Sequence, residues 1–553
     1  MKASITGIST ILVATILSAC GGGGDNPPRP AGFFIGGTVS GLPDGAQLSL
    51  LDNGSSSQAI SANGLFTLTA TLSAGSAYSI SISTSPAGYK CDVTHGSGTM
   101  PASNVTDVAV ACTQITATVG GSVEGLISNG LVLANGDDTL TVSADAKTFT
   151  MPAAVASGAT YHITVRRTPT AMHCSVSNAS GTGSDSPVTD VGVSCEAGRF
   201  SELYSFGDES QGAAPLFGLI QGSDGNFYST TSTGGANDAG TVFKLTPDGV
   251  QTVLWSFGAG SDGSQPLSSL LQASDGDLYG TTAEGGAYGS GTVFRISLGG
   301  SESVLWSFGE ASDGARPSGN LIEGRDGDIY GMTEYGGTEG GGTVFRLTPS
   351  GAETVMLSFG RFNGGPSEPQ FNGLTQDSDG TLYGLTAGGG TNSEGAIFKL
   401  SPDGAVTTLY SFHQRDIGAF PTDSLVKASD GNFYGMTLAG GTNNRGVLFQ
   451  MSPSGAVSIL HAFGAQGDGR GPNGGLMQAT DGNFYGVTCI PGSSGTVFQF
   501  TLSGTETPLY SFPGAVSSGA CPTGNLIEGT DGGLYGTTTY GGASGNGSVY
   551  RIN

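Results

Sequence analysis

Few residues of this chain stand in patterns that do chemistry. Its 553 residues include five histidines, His95, His162, His173, His413 and His461, and no two are spaced four apart as the zinc ligands of a helix are. No Gly-x-Ser-x-Gly elbow has a matching histidine. Gly-x-Gly runs are expected by chance among 98 glycines, and no helix follows them to hold a phosphate. No catalytic residue, metal ligand or cofactor is therefore assigned. A pair of carboxylates gathered from distant segments, the machinery of a polysaccharide hydrolase or lyase, leaves no linear motif and stays open as the alternative.

One acidic residue does recur. Asp224, Asp275, Asp326, Asp379, Asp430, Asp481 and Asp531 each precede a glycine, and a tyrosine follows four residues later in every case. A calcium loop needs ligands at positions 1, 3 and 5 and a later glutamate. An Asp-Gly pair is favoured at a hairpin turn for backbone reasons alone, so these read as turns and the tyrosines as packing. Cys91 and Cys112 are 21 residues apart, as are Cys174 and Cys195. Six cysteines allow fifteen pairings, and the repeated spacing selects these two, leaving Cys489 with Cys521. The residues best placed to meet a ligand are loop side chains: Tyr288, Arg316, Glu334, Tyr335, Arg415, Asp416 and Tyr540.

The elements that position them are strands. A strand ending in Phe recurs at Phe206, Phe257, Phe308, Phe359, Phe412, Phe463 and Phe512, and three further strand-like segments lie between successive marks. Four strands per ~50 residues is the unit of a β-propeller blade. The region opens on the fourth strand of a unit and ends on the third, Ser548–Ile552. Pairing the two ends completes one sheet and leaves no open edge. The expectation for 198–553 is a closed seven-bladed propeller, with an open β-solenoid as the alternative. Two of its connections are short turns at one end. The other two are long Gly-rich loops at the opposite end, where binding residues collect.

Residues 34–113 and 114–197 are two copies of another unit, with alternating strands rich in Val, Thr and Ser. They read as two small antiparallel β-sandwiches, each stapled by its disulfide. The fold class is all-β throughout. A charge of −25 opposes nucleic-acid binding, because phosphates need a basic surface.

Three resemblances add to this. Leu17-Ser18-Ala19-Cys20, after a short apolar run, resembles the lipobox of bacterial lipoproteins. It implies a signal peptide at 1–19, lipidation of Cys20, a flexible linker to residue 33, and an exported protein held at the outer membrane or cell surface by lipid alone. An ordinary secretory signal is the other reading. The two small units resemble Ig-like modules of bacterial surface lipoproteins, which serve as spacers. LYGTTAEGGAYGSGTVFRI from Leu278 to Ile296, repeated as LYGTTTYGGASGNGSVYRI from Leu534 to Ile552, resembles the GloVer tandem repeat of bacterial surface proteins. That family implies no set activity, so the expected function is a scaffold that binds or displays, with a glycan or a protein as ligand.

Overall fold

The computed structural model describes residues 32–553 except 311, 361–364, 371, 416, 466–467, 491–494, 503 and 514–520. Cys20, Asp416 and the signal segment lie outside the described residues. Among those described, regular structure is β except for one short 3-10 turn, Glu209–Gln211. No helix is long and apolar enough to cross a membrane. The chain forms two compact units. The first runs to Ala117 and takes in 154–159 and 182–187, and the second holds the rest.

In the first unit two four-stranded sheets enclose an apolar core that includes Leu48, Leu50, Val108 and Val110. Phe33–Ser40 lies between Gly64–Leu72 and Val105–Gln114. The sequence suggests purely antiparallel sheets, but Phe33–Ser40 pairs parallel with Val105–Gln114. The first and last strands share a direction because the first is laid against the last across the whole module. A Cβ on Gly37 would stand 1.7 Å from the Val108 carbonyl oxygen, so only glycine permits that approach. Val119–Glu124 repeats the parallel pairing with Val188–Ala197 in the second unit, and Gly121 meets Val191 in the same way. Cys91–Cys112 and Cys174–Cys195 join directly opposed residues of neighbouring strands.

Residues 200–552 form seven four-stranded antiparallel sheets, one with each copy of the repeat. In sheet one the strands are Ile220–Gln221, Phe227–Thr231, Thr241–Leu245 and Gln251–Ser256. Sheets two to six follow this order along the chain, with short extra strands in some. Sheet seven takes Pro522–Glu528, Leu534–Thr538 and Ser548–Ile552 from the end of the chain, and Phe200–Ser205 from the start of the region as its fourth strand. Phe200 stands opposite Ile552 and Ser205 opposite Ser548, the pairing that the phase of the repeat requires. The second and third strands are buried on both sides, as in Phe227–Thr231 and Leu382–Thr386.

The marker Phe explains the period. Each one crosses to the next sheet and meets an aromatic ring on its third strand edge-on: Phe206 with Phe243, Phe257 with Phe294, Phe308 with Phe345, Phe359 with Phe398, Phe412 with Phe449, Phe463 with Phe498, and Phe512 with Tyr550. Centroids are 5.0–5.5 Å apart and planes 60–77°. Such geometry is worth about 0.5–1.5 kcal/mol beyond the buried area. The ring on the third strand also needs space from the second. A Cβ on Gly331 would stand 2.5 Å from Phe345, and Gly280, Gly384, Gly435, Gly486 and Gly536 face the same constraint. In sheet one Ser229 holds this place, and its hydroxyl donates to the Gly218 carbonyl at 3.0 Å.

Phe308→Ala empties one such seam of a fully buried ring. It should cost about 3–5 kcal/mol in urea unfolding, and a loss below about 1 kcal/mol would show that the seam does not depend on it.

Candidate functional site

At the turn end the repeated aspartates hold their own turns together. In six copies, all but Asp379, the Oδ2 atom accepts the hydroxyl of the tyrosine four residues on at 2.7–2.8 Å. The other oxygen accepts the backbone N–H two residues on, as at Asn226 and Asn483. Lys244, Arg295, Arg346 and Arg551 add ion pairs to four of them. These carboxylates are structural, and each tyrosine carries a hydrogen bond as well as packing.

The second small module docks on this end. Thr170 Oγ1 donates to Glu528 Oε1 at 2.6 Å, and Gln499 Nε2 donates to Ser128 Oγ at 2.9 Å. Ala171 is buried in one cluster with Tyr485 and Ile552. The electrostatic effect is local: burial pushes the Asp481 carboxyl up, whereas Asp326 and Asp430, which lack this cover, are held down by their hydrogen bonds despite partial burial.

The loop end brings together three of the seven residues singled out from sequence. Arg316 Nε lies 3.1 Å from Glu334 Oε2, and the Glu334 side chain is only 2% exposed. Gln370 Nε2 donates to its other oxygen at 2.8 Å. A hydrogen bond to the same carboxylate raises the Tyr335 phenol. The others lie apart. Tyr288 donates to Glu310 at 3.2 Å. Tyr540 is exposed over a shallow cleft shared with Glu209 and Asp238. Arg415 is exposed.

Inward of the loops lies an axial cavity that the motif search did not find. Ala214, Gln265, Arg316, Glu368 and Phe420 each precede a proline and take φ of +53 to +56°. That left-handed conformation costs a non-glycine residue of order 1–3 kcal/mol. It turns the chain from the loop end toward the axis, where first strands of different sheets meet. Asn320 of sheet three donates to Asp423 Oδ1 of sheet five at 2.9 Å, and Asn525 of sheet seven also hydrogen-bonds Asp423. Beside this contact is a cavity of ≈ 370 Å³ with walls from sheets one, four, five, six and seven, including Phe217, Gln370, Phe420, Leu438 and Asn473. Asp423 is the one carboxyl among its described lining residues. Burial pushes that carboxyl up to about 6, against the opposing pull of its hydrogen bonds. Phe420 is 44% exposed. The available signal was positional: two residues after the repeat's proline four copies carry Ser268, Gly319, Gly474 or Gly524, whereas Phe217, Phe371 and Asp423 depart.

Cys489 and Cys521 are bonded and buried, stapling sheet six to sheet seven. Two other seams hold buried carboxyl pairs. Trp255 Nε1 donates to Asp262 Oδ2 at 3.2 Å, and the Gly258 amide donates to Oδ1. Glu302, on the next sheet, has its Oε1 buried without a hydrogen-bond partner. Burial first, then the charge of Asp262, push Glu302 up to about 7. Trp306, Asp313 and Glu353 repeat this arrangement, and Glu353 also rises to about 7.

The family model of the Gloeobacter/Verrucomicrobia repeat matches residues 174–371 and 369–553. No curated protein matches the chain. Solved structures similar to it include a streptogramin B lyase, 16% identical over 64% of this chain and 97% of that one, with a TM-score of 0.46. Another is virginiamycin B lyase from Staphylococcus aureus, 14% identical over 64% and 99%, TM-score 0.44. A third is a putative 6-phosphogluconolactonase from Bacteroides uniformis, 17% identical over 56% and 89%, TM-score 0.39.

The seam carboxyls set a pH dependence. A glutamate whose folded pKa is raised binds more protons folded than unfolded between about 4.5 and about 7. Its stabilising contribution is complete below that window and lost as pH rises through it. A Glu302→Gln, Glu353→Gln double variant should match the parent in Tm at pH 4 and exceed it at pH 8. An equal difference at both values would refute the assignment.

Proposed function

The chain belongs to the Gloeobacter/Verrucomicrobia repeat family, and on that premise we propose that it is a lipid-anchored surface protein whose seven sheets close into a seven-bladed propeller that binds a glycan at its axis. Cys20 carries the lipid, and the segment between it and the propeller is a spacer of two Ig-like modules. Three disulfides fit an extracellular setting.

The observation that carries the binding role is the composition of the axial cavity. An exposed aromatic face, Phe420, lies with Gln370, Asn473 and the Asp423 carboxyl around one opening. A sugar ring presents an apolar C–H face and a rim of hydroxyls, which such walls match. A volume of ≈ 370 Å³ is near the lower end of the range for small-molecule sites and suits a terminal sugar. Glycoside hydrolysis by paired carboxylates needs a second one roughly 5–9.5 Å away, whereas the described lining offers Asp423 alone. That favours binding over hydrolysis. The second module docks on sheets six and seven at the turn end, and the cavity opens among the loop-end residues.

Glycan-array screening followed by calorimetry tests this. Phe420→Ala should weaken the best hit at least tenfold, and Asp423→Asn should cost about 1.5–3 kcal/mol, the worth of a hydrogen bond to a charged group. Tyr540→Ala, in a separate cleft, should change nothing. Array-wide silence, or binding indifferent to Phe420 and Asp423, would defeat the proposal. Independently, Cys20→Ser should abolish incorporation of labelled fatty acid; retained label would remove the anchor.

A further inference from the structure

At five of the seven seams, the residue five positions after the marker Phe is matched in kind by the first residue of the next sheet's fourth strand. Gln211 goes with Gln251, Asp262 with Glu302, Asp313 with Glu353, Ile417 with Val457, and Asp468 with Glu506. Gln251 Nε2 donates to the Gln211 carbonyl at 3.2 Å. Ile417 and Val457 pack on one apolar cluster. The third acidic seam, between sheets five and six, differs from the other two in one respect: where they carry Trp255 and Trp306, it carries His461.

That exchange changes what the seam offers. An indole N–H only donates, whereas a neutral imidazole has a lone pair for a metal. His461 Nε2 lies 3.1 Å from Asp468 Oδ2. The amides of Gly464 and Ala465 converge on that same oxygen. Asp468 Oδ1 is consequently left buried with no hydrogen-bond partner, on a side chain 6% exposed. In the sibling seams the equivalent oxygens of Asp262 and Asp313 are taken by the Gly258 and Gly309 amides. Glu506 Oε1 is likewise buried and unpartnered. One ligand atom from each of the three residues lies within 4.8 Å of the other two.

We propose that His461, Asp468 and Glu506 form a binding site for a divalent transition-metal ion of the zinc class. One imidazole nitrogen and two carboxylate oxygens are a three-protein-ligand zinc set with a fourth position for water. Binding draws the three atoms to about 2.0–2.2 Å from the ion. It satisfies both orphaned oxygens and offsets two facing carboxylates. Because the ligands come from neighbouring sheets, the ion would act as a staple and stabilise the folded chain by mass action. The tryptophan seams lack the third ligand. Linear reading missed the site because its members are 7 and 38 residues apart and meet only across a seam.

The test is a zinc titration of the full chain in detergent, stripped with a chelator, against a chromophoric competitor and by melting. The parent should bind one more equivalent of zinc than His461→Trp, and zinc should raise its Tm. His461→Trp installs the residue of the sibling seams, so it should fold, and both it and Glu506→Gln should lose that equivalent and the Tm response. Equal stoichiometry and equal Tm response in the parent and both variants would overturn the proposal, as would full retention of binding in Glu506→Gln.

Discussion

The edge-on contact between a marker Phe and the next sheet's ring is the constraint on which the rest of the molecule depends. A four-stranded sheet has two large faces, and neither can be left in water when both are apolar. The seven contacts bury those faces serially, and the last one leads back to sheet one through Phe206 and Phe243. The glycine of the Leu-Tyr-Gly motif follows from it, since Phe345 occupies the space where a side chain on Gly331 would project. The strand borrowed by sheet seven follows as well, because Phe206 reaches sheet one only if Phe200–Ser205 completes sheet seven.

The two ends of the assembly divide the labour. Turn-end polar groups are committed internally: aspartate to tyrosine, aspartate to arginine, and at sheets six and seven to the docked module. The loop end has the reverse character. Its prolines are preceded by residues in an unfavoured conformation, and the chain that follows leads inward to Asp423, Phe420 and the cavity. Conformational strain and a buried carboxyl are tolerated where a scaffold is adapted for something other than stability.

Much of this was legible because it is periodic or local. The spacing of the marker Phe gave the sheets, the phase at Ser548–Ile552 gave the closing strand, and equal cysteine spacing gave two cross-strand bridges. Arg316, Glu334 and Tyr335, which the structure brings together, were singled out because loop charges are few. Asp423 was not, because its partners Asn320 and Asn525 lie about a hundred residues away on either side and only convergence at an axis unites them. The parallel pairing of first and last strands in each small module was missed for a related reason: alternation reveals which residues face inward but not the direction of a neighbour. The docking of Thr170 and Ser128 left no sign, since short polar loop residues look alike whether they meet water or protein.

The matched seams bear on how such a chain finds its order. Seven near-identical units invite mistaken neighbours, the characteristic failure of repeat proteins as they fold. A unit whose border carries Asp262 sets a polar carboxyl beside Glu302, but it would trap a charge against Val457. The aromatic latch is common to all seven junctions, so any sorting of one copy from another falls to the residues that vary beside it.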